Sequence, residues 1–247
     1  MKVLFIGHSH LKVLNDCYRD NIIMNYIPDF VQCGFEQYKP NVKKSLLSSK
    51  KILNKNLRKK ITDQSFYSVV SCIYGNGHNI LGFFKNDEPF DFVIPGREDL
   101  PIDEDCVQVL FEIIKKRIYE TLENFELLIR LINDSTSFKV YHLEPPPVIP
   151  SNEFIIKHSA ERFKTYNNPI INSYICRQKI WILYSELMKK ICDSNNVYYI
   201  KNPASVFDED KKLLEEYWCE TCTHGNSKYG LEVLKNVGEV LLSEKSI

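Results

Sequence analysis

The sequence of 247 residues has no long hydrophobic run. Nowhere do about 18 apolar residues follow one another, which is the length that a transmembrane helix needs. The apolar run in MKVLFIG stops at Gly7 and no small-residue cleavage site follows it, so it is too short for the core of a signal peptide. We therefore expect no membrane span and a cytoplasmic protein.

An excess of charge of either sign is also missing. Lys and Arg together number 32, as do Asp and Glu, so the formal net charge is zero. Because a dedicated nucleic-acid-binding protein usually has a basic excess, we expect no nucleic-acid partner.

The motifs that hold common cofactors are absent as well. No G-x-G-x-x-G follows the first apolar run and no P-loop is present, which argues against a nucleotide-binding domain. Among the eight cysteines, Cys219 and Cys222 have C-x-x-C spacing but lack the second pair that a zinc site requires. We expect neither a metal ion nor an organic cofactor.

The composition that remains is ordinary for a globular protein. Hydrophobic residues make up 44% of the chain and charged residues 26%, and the length is sufficient for a sizeable core. No internal repeat is apparent. We expect one domain over residues 1–247.

Short apolar runs alternate with longer helical patterns along the chain. The predicted strands are 2–7, 27–33, 65–74, 138–144 and 196–200. The predicted helices, in which apolar residues recur every three or four positions, are 103–132, 172–192 and 228–243. This alternation predicts the α/β class, with a three-layer αβα sandwich around a five-stranded, mostly parallel sheet.

The segment 41–62 has eight basic residues and no acidic one, and its apolar residues Leu46, Leu53, Leu57 and Ile61 keep helical spacing. We predict a helix with a solvated basic face. The alternative is a surface for an anionic partner, such as a charged glycan, a nucleotide-linked donor or a membrane surface.

Polar clusters follow two predicted strands and precede the last predicted helix. They are Gly7–His10 (GHSH), Tyr74–Asn79 (YGNGHN) and 221–230 (TCTHGNSKYG). In a parallel α/β sheet the ligand crevice lies outside the carboxyl ends of the strands. We therefore expect Ser9, an asparagine and His224 to meet at one edge of the sheet, where a serine has the base that it needs to become a nucleophile.

In these motifs and their order the sequence resembles the SGNH, or GDSL-type, hydrolases over nearly its whole length. That family has its nucleophilic serine directly after the first strand, a glycine after the second, an asparagine after the third and a D-x-x-H motif near the C-terminus. The stretches PFDFVIP (89–95) and HLEPPP (142–147) are similar to SGNH-like proteins found with bacterial surface-polysaccharide genes. The resemblance implies a flavodoxin-like SGNH-hydrolase fold.

The resemblance also implies roles for individual residues. Ser9 would be the nucleophile and His224 the base, with no cofactor. The oxyanion would be held by the backbone N–H of Ser9, a backbone N–H near Gly34 and the side chain of Asn76, with Asn79 as the alternative to Asn76.

Two positions depart from the family pattern. His8 stands where the aspartate before the serine is usual, and Thr221 stands where the acid of D-x-x-H belongs. A hydroxyl cannot supply the negative charge that stabilises an imidazolium. Glu220 next to it is an alternative acid, and a Ser-His dyad is another solution.

Structural roles compete with each functional one. Ser9 also suits a helix N-cap and Asn76 a turn, since Asn-Gly is a turn signal. His10, His78 and Glu144 are candidate pocket residues, although the histidines could equally satisfy backbone groups.

The sequence thus predicts a serine-dependent ester hydrolase or O-acyltransferase acting on an acetyl-type ester, with a carbohydrate substrate implied by the resemblance. The alternative is a catalytically silent protein of the same fold that binds a glycan or protein partner in surface-polysaccharide assembly. The sequence does not indicate an oligomeric state.

Overall fold

The computed structural model describes residues 1–19, 24–33, 43–45, 48–83, 88–163 and 171–244. The strands are β1 Lys2–Gly7, β2 Ile27–Gln32, β3 Lys43–Ser45, β4 Ser48–Ile52, β5 Ser68–Cys72, β6 Phe90–Asp91, β7 Val107–Gln108, β8 Lys139–Leu143 and β9 Tyr198–Ile200. The helices are α1 Ser9–Arg19, α2 Lys55–Ile61, α3 Gly77–Phe83, α4 Phe111–Asp134, α5 Asn152–Phe163, α6 Tyr174–Ser194 and α7 Ser227–Ser243.

The central sheet has five strands in the order β2-β1-β5-β8-β9, and every neighbouring pair is parallel. These are the five strands that the sequence predicts, so the expected sheet is confirmed. The carboxyl ends of β1, β5, β8 and β9 share one edge, since all the strands run the same way.

Alternate residues of each buried strand face opposite cores. Leu4 and Ile6 of β1 pack in one core with α2, α4 and α6, whereas Val3 and Phe5 pack in the other with α1 and α7. Helices therefore cover both faces of the sheet, and the three-layer αβα sandwich is confirmed.

The predicted helix over 41–62 is wrong for its first part. Residues 43–45 and 48–52 form an antiparallel pair of strands, and helix α2 begins only at Lys55. The side chain of Asn54 caps α2 by accepting the N–H of Asn56 at 2.8 Å, so the helix starts after this residue. Leu57 and Ile61 are buried on α2 as their spacing predicts, while Leu46 lies outside the described residues.

The predicted helix over 103–132 begins later than expected, at Phe111. The chain before it is extended, because Val107 donates its N–H to Pro89 and Val109 donates to Asp91. Within the part of the chain that the structure describes, no helix combines the length and the hydrophobicity that crossing a bilayer would require.

A buried ion pair joins strand β6 to helix α6. Lys179 Nζ lies 2.9 and 2.8 Å from the two carboxylate oxygens of Asp91, and neither side chain has any exposed surface. The same carboxylate accepts the backbone N–H groups of Phe92 and Asp103. The pair therefore fixes the segment before α4 against α6.

Candidate active site

Ser9 lies where β1 ends and α1 begins, at the carboxyl edge of the sheet. Gly7 allows β1 and β5 to pack closely here, since a Cβ at this position would lie 2.2 Å from Cys72 Sγ. Ser9 is exposed and is the first residue of α1, so its N–H is among the donors that a helix leaves without intrahelical partners.

The turn between β5 and α3 brings Asn76 to the same edge. Tyr74 has a left-handed backbone, with φ of 59°, and Gly75 packs directly against the ring of His10. His10 points inward from α1 and is 8% exposed, because it shares the buried face of that helix with Leu14 and Cys17.

His224 comes from the loop before α7 and is also 8% exposed. Both the oxygen and the nitrogen of the Asn226 side-chain amide hold this loop in place. Its Oδ1 accepts the N–H of Tyr229 and so caps α7, while its Nδ2 donates to the carbonyls of Glu216 and Trp218. The loop therefore holds His224 against the sheet edge.

Asn76 bridges His10 and His224. His10 Nε2 lies 2.8 Å from Asn76 Oδ1, and Asn76 Nδ2 lies 3.5 Å from His224 Nε2. The two imidazole rings are 4.4 Å apart between centroids. Asn79 Nδ2 donates to the same Oδ1 at 3.5 Å, so both candidate asparagines belong to the cluster and Asn76 is the one that faces His224.

Thr221 contacts the other ring nitrogen of His224. Its Oγ1 lies 2.9 Å from His224 Nδ1, and Thr223 Oγ1 lies 3.0 Å from the same atom. Thr221 Oγ1 also lies 3.3 Å from Cys219 Sγ, and when its proton points to that sulfur its oxygen accepts the Nδ1–H of His224. This tautomer leaves His224 Nε2 without a proton, as a general base requires.

In this tautomer the hydrogen bonds of the cluster run in one direction. They lead from His10 to Asn76, from Asn76 to His224, and from His224 through Thr221 to Cys219. The contacts of Thr223 and Cys219 were not predicted from the sequence. The signal that could have revealed them is their position, within five residues of His224 in one tight loop.

Other predicted site residues stand apart from this cluster. Among the described residues, no hydrogen bond joins His224 to Ser9. The hydrogen bond between a nucleophile and its base commonly tightens only when substrate binds. Glu220 is exposed, and the side chains that contact His224 Nδ1 include those of Thr221 and Thr223. Gly34 lies outside the described residues.

Glu144 belongs to a hydrogen-bonded network beneath the cluster. One carboxylate oxygen accepts the hydroxyl of Ser185, and the other accepts the backbone and side-chain N–H groups of Asn202. Asn202 Oδ1 accepts the hydroxyl of Tyr229 on α7. Glu144 therefore ties β8 to α6 and to the end of β9.

Burial controls the charge of the histidines near this edge. Burial lowers the pKa of His78 to about 3 and that of His142 to about 3. The pKa of His10 is held well below its usual value by burial, with a smaller contribution from His224. These rings are therefore neutral at physiological pH.

A cavity of about 30 Å³ lies behind the cluster, lined among others by His10, Gly75, Glu144 and Tyr229. It has room for roughly one or two water molecules. Ser9 itself is exposed to solvent. In the described part of the chain, no three or more His, Cys, Asp or Glu side chains are grouped so that they would hold a metal ion.

Comparison with known proteins finds similarity in structure only. No family model matches the chain, and no curated protein matches it in sequence. A Streptococcus pneumonia protein described as a platelet activating factor is similar over 97% of this chain and 83% of its own, with 16% identity and a TM-score of 0.51. A carbohydrate acetylesterase from Sinorhizobium meliloti is similar over 98% of both chains, with 9% identity and a TM-score of 0.48.

A GDSL-like lipase from Bacteroides thetaiotaomicron is similar over 100% of this chain and 89% of its own, with 12% identity and a TM-score of 0.44. At these identities the similarity concerns the fold alone. The strand order β2-β1-β5-β8-β9 confirms the flavodoxin-like, five-stranded parallel sheet, and the similarity to the Streptococcus pneumonia structure agrees with this fold.

Proposed function

We propose that this protein is a serine-dependent ester hydrolase or O-acyltransferase in which Ser9 is the nucleophile and His224 the general base. The observation that supports this best is the arrangement of His224. Its Nδ1 faces Thr221 at 2.9 Å and its Nε2 faces Asn76 at 3.5 Å, at the sheet edge where Ser9 begins helix α1.

In the proposed reaction, Ser9 Oγ attacks the ester carbonyl while its proton passes to His224 Nε2. The oxyanion accepts hydrogen bonds from the N–H of Ser9 and from Asn76 Nδ2, with Gly34 as a further proposed donor. His224 then gives the proton to the leaving alcohol, and an acyl-enzyme remains. Water, or a sugar hydroxyl in the transferase case, attacks this ester and restores Ser9.

We propose an acetyl-type ester on a carbohydrate as the substrate class, on the strength of the sequence resemblance. The basic segment 41–62 stays a proposed contact for an anionic part of the substrate or of a partner. On the described part of this segment, Lys55, Arg58 and Lys59 are exposed on α2.

The second candidate is a catalytically silent binding protein, which the hydroxyl at Thr221 favours. A neutral partner orients His224 but does not stabilise the imidazolium that forms when the serine loses its proton. In this case the crevice would bind a glycan or a protein without cleaving it.

Intact-protein mass spectrometry after exposure to a fluorophosphonate serine probe distinguishes the two candidates. We expect one adduct on the wild type, none on Ser9→Ala, and labelling of His224→Ala slowed by about a hundredfold or more. Ser227→Ala is the matched control, because Ser227 is also exposed at the first position of a helix.

The control should keep the adduct at the wild-type rate. No adduct between pH of about 6 and 9, the range over which an ordinary histidine becomes a free base, would contradict the hydrolase and favour the silent protein. An adduct that persists in Ser9→Ala would show that another residue is the nucleophile.

A further inference from the structure

We propose that His10 is a positioning residue that fixes the side-chain amide of Asn76, so that its Nδ2–H group faces the reacting atoms and not the protein interior. This inference rests on the proposed function. It assigns a specific role to a residue that adjoins the nucleophile in sequence.

An asparagine amide can rotate by 180° about its terminal side-chain bond, which exchanges its oxygen and nitrogen, at little steric cost because the two atoms have similar size. As an oxyanion donor Asn76 is useful only when Nδ2 points outward. Two donors determine its orientation here. His10 Nε2 lies 2.8 Å from Oδ1 and Asn79 Nδ2 lies 3.5 Å from it, so the oxygen faces inward and Nδ2 faces His224.

The shorter of these two hydrogen bonds comes from His10, whose ring lies against the backbone of Gly75 and 4.4 Å from the His224 ring between centroids. A Cβ at Gly75 would come within 2.6 Å of His10 Cδ2 and 2.8 Å of Nε2. Any side chain at position 75 would therefore push the donor away from Asn76.

The charge state of His10 suits this role. Burial and the neighbouring His224 ring lower the pKa of His10, so the ring stays neutral and has a single N–H, which in this proposal lies on Nε2, facing Asn76 Oδ1. A positive charge 4.4 Å from the His224 ring would oppose proton transfer to that base. A neutral donor orients Asn76 without this penalty.

A double-mutant cycle between His10 and Asn76 tests the inference, with hydrolysis of a chromogenic acetate ester as the assay. We expect His10→Leu to lower kcat about tenfold to a hundredfold with KM changed less than about twofold, since only the transition state uses the oxyanion donor. His10→Gln should restore most of kcat, because its Nε2–H2 can donate to Oδ1. In the Asn76→Ala background, His10→Leu should have no further effect.

Two results would overturn the inference. If His10→Leu lowers kcat equally in the Asn76→Ala background, His10 acts through another group such as His224. If the crystal structure of His10→Leu shows the Asn76 amide unmoved, the orientation does not depend on His10. This second readout needs no turnover, and thermal unfolding of each variant shows whether the fold is intact.

Failure of the proposed function has a different signature. A wild-type protein with neither ester turnover nor a Ser9 adduct contradicts the hydrolase itself and the inference with it. If the wild type turns over the ester but the effects of His10→Leu and Asn76→Ala on kcat are additive, only the role of His10 is contradicted.

Discussion

At the scale of single residues, the contact between Thr221 and His224 bears on how fast the proposed reaction can run. The threonine hydroxyl orients Nδ1 at 2.9 Å, as an acid at that position would, but it has no negative charge. Orientation and charge can therefore be separated by substitution at this one position.

We predict that Thr221→Asp increases kcat about tenfold, which corresponds to roughly 1.4 kcal/mol of added stabilisation of the imidazolium. Thr221→Val, which keeps the shape but has no acceptor, should decrease kcat by a similar factor. Steady-state hydrolysis of an acetate ester checks both. Glu220→Ala is the control and should change little, because the contact with His224 Nδ1 is made by Thr221. A large loss in Glu220→Ala, with Thr221→Val unaffected, would identify Glu220 as the acid.

The sequence predicts several residues of this cluster but not their connections. It predicts Ser9, Asn76 and His224 at one sheet edge, because each follows a strand or precedes a helix; of these, Asn76 and His224 are in contact, and His10 contacts Asn76. The pairing of Thr221 with Cys219 depends on a tight loop in which Cys222 has a left-handed backbone. Such a turn is set by tertiary packing and leaves no periodic pattern in the sequence.

At the scale of elements, periodicity predicts the central sheet well and the peripheral pieces poorly. The buried strand β1 and helix α6 have patterns set by the core that covers them. Leu46 has helical spacing to Leu53, Leu57 and Ile61 in the sequence, although residues 43–45 and 48–52 form strands. The ion pair between Asp91 and Lys179 was also not predicted, since its partners are distant in sequence.

We predict that Lys179→Met lowers the free energy of unfolding by about 3–5 kcal/mol, because it leaves the buried Asp91 carboxylate without its cation. The double variant Asp91→Asn/Lys179→Met should recover part of this loss. Urea unfolding measures both. Lys189→Met is the control, since Lys189 pairs with Asp193 on the exposed side of the same helix. Equal losses for Lys179→Met and Lys189→Met would show that burial of the pair is unimportant.

Glu144 offers a second test at this scale, because its contacts are those of a structural residue. We predict that Glu144→Gln lowers the unfolding free energy by about 1–3 kcal/mol, since one of its accepting oxygens is replaced by a donor facing Ser185 or Asn202. Ester turnover per folded molecule should stay within about twofold. A much larger loss of turnover with unchanged stability would instead place Glu144 in the reaction.

At the scale of the whole molecule, buried neutral histidines make stability depend on pH. His142 packs against Phe125, and neither of its ring nitrogens has a hydrogen-bond partner among the described residues. Its pKa is about 3 in the folded protein, whereas in the unfolded chain it has the ordinary value. Below that ordinary value the unfolded chain binds a proton that the folded protein does not, so stability falls as the pH falls.

We predict that His142→Phe reduces the loss of unfolding free energy between pH of about 7 and 5 by about 2 kcal/mol, the contribution of one such histidine. Urea unfolding at the two pH values measures it. His158→Gln is the control, because His158 is partly exposed on α5. If His142→Phe loses as much stability as the wild type, protonation of this ring is not what destabilises the fold in acid.

The wide separation of the site residues along the chain affects how activity arises during synthesis. Asn76 and His224 are 148 positions apart, and Ser9 precedes both. Under the proposed function, a ribosome exposes the nucleophile early and its base only after all of the described strands have emerged. A chain that stops before His224 would therefore have a serine but no means of activating it, and esterase activity would mark chains that extend past this residue and have folded.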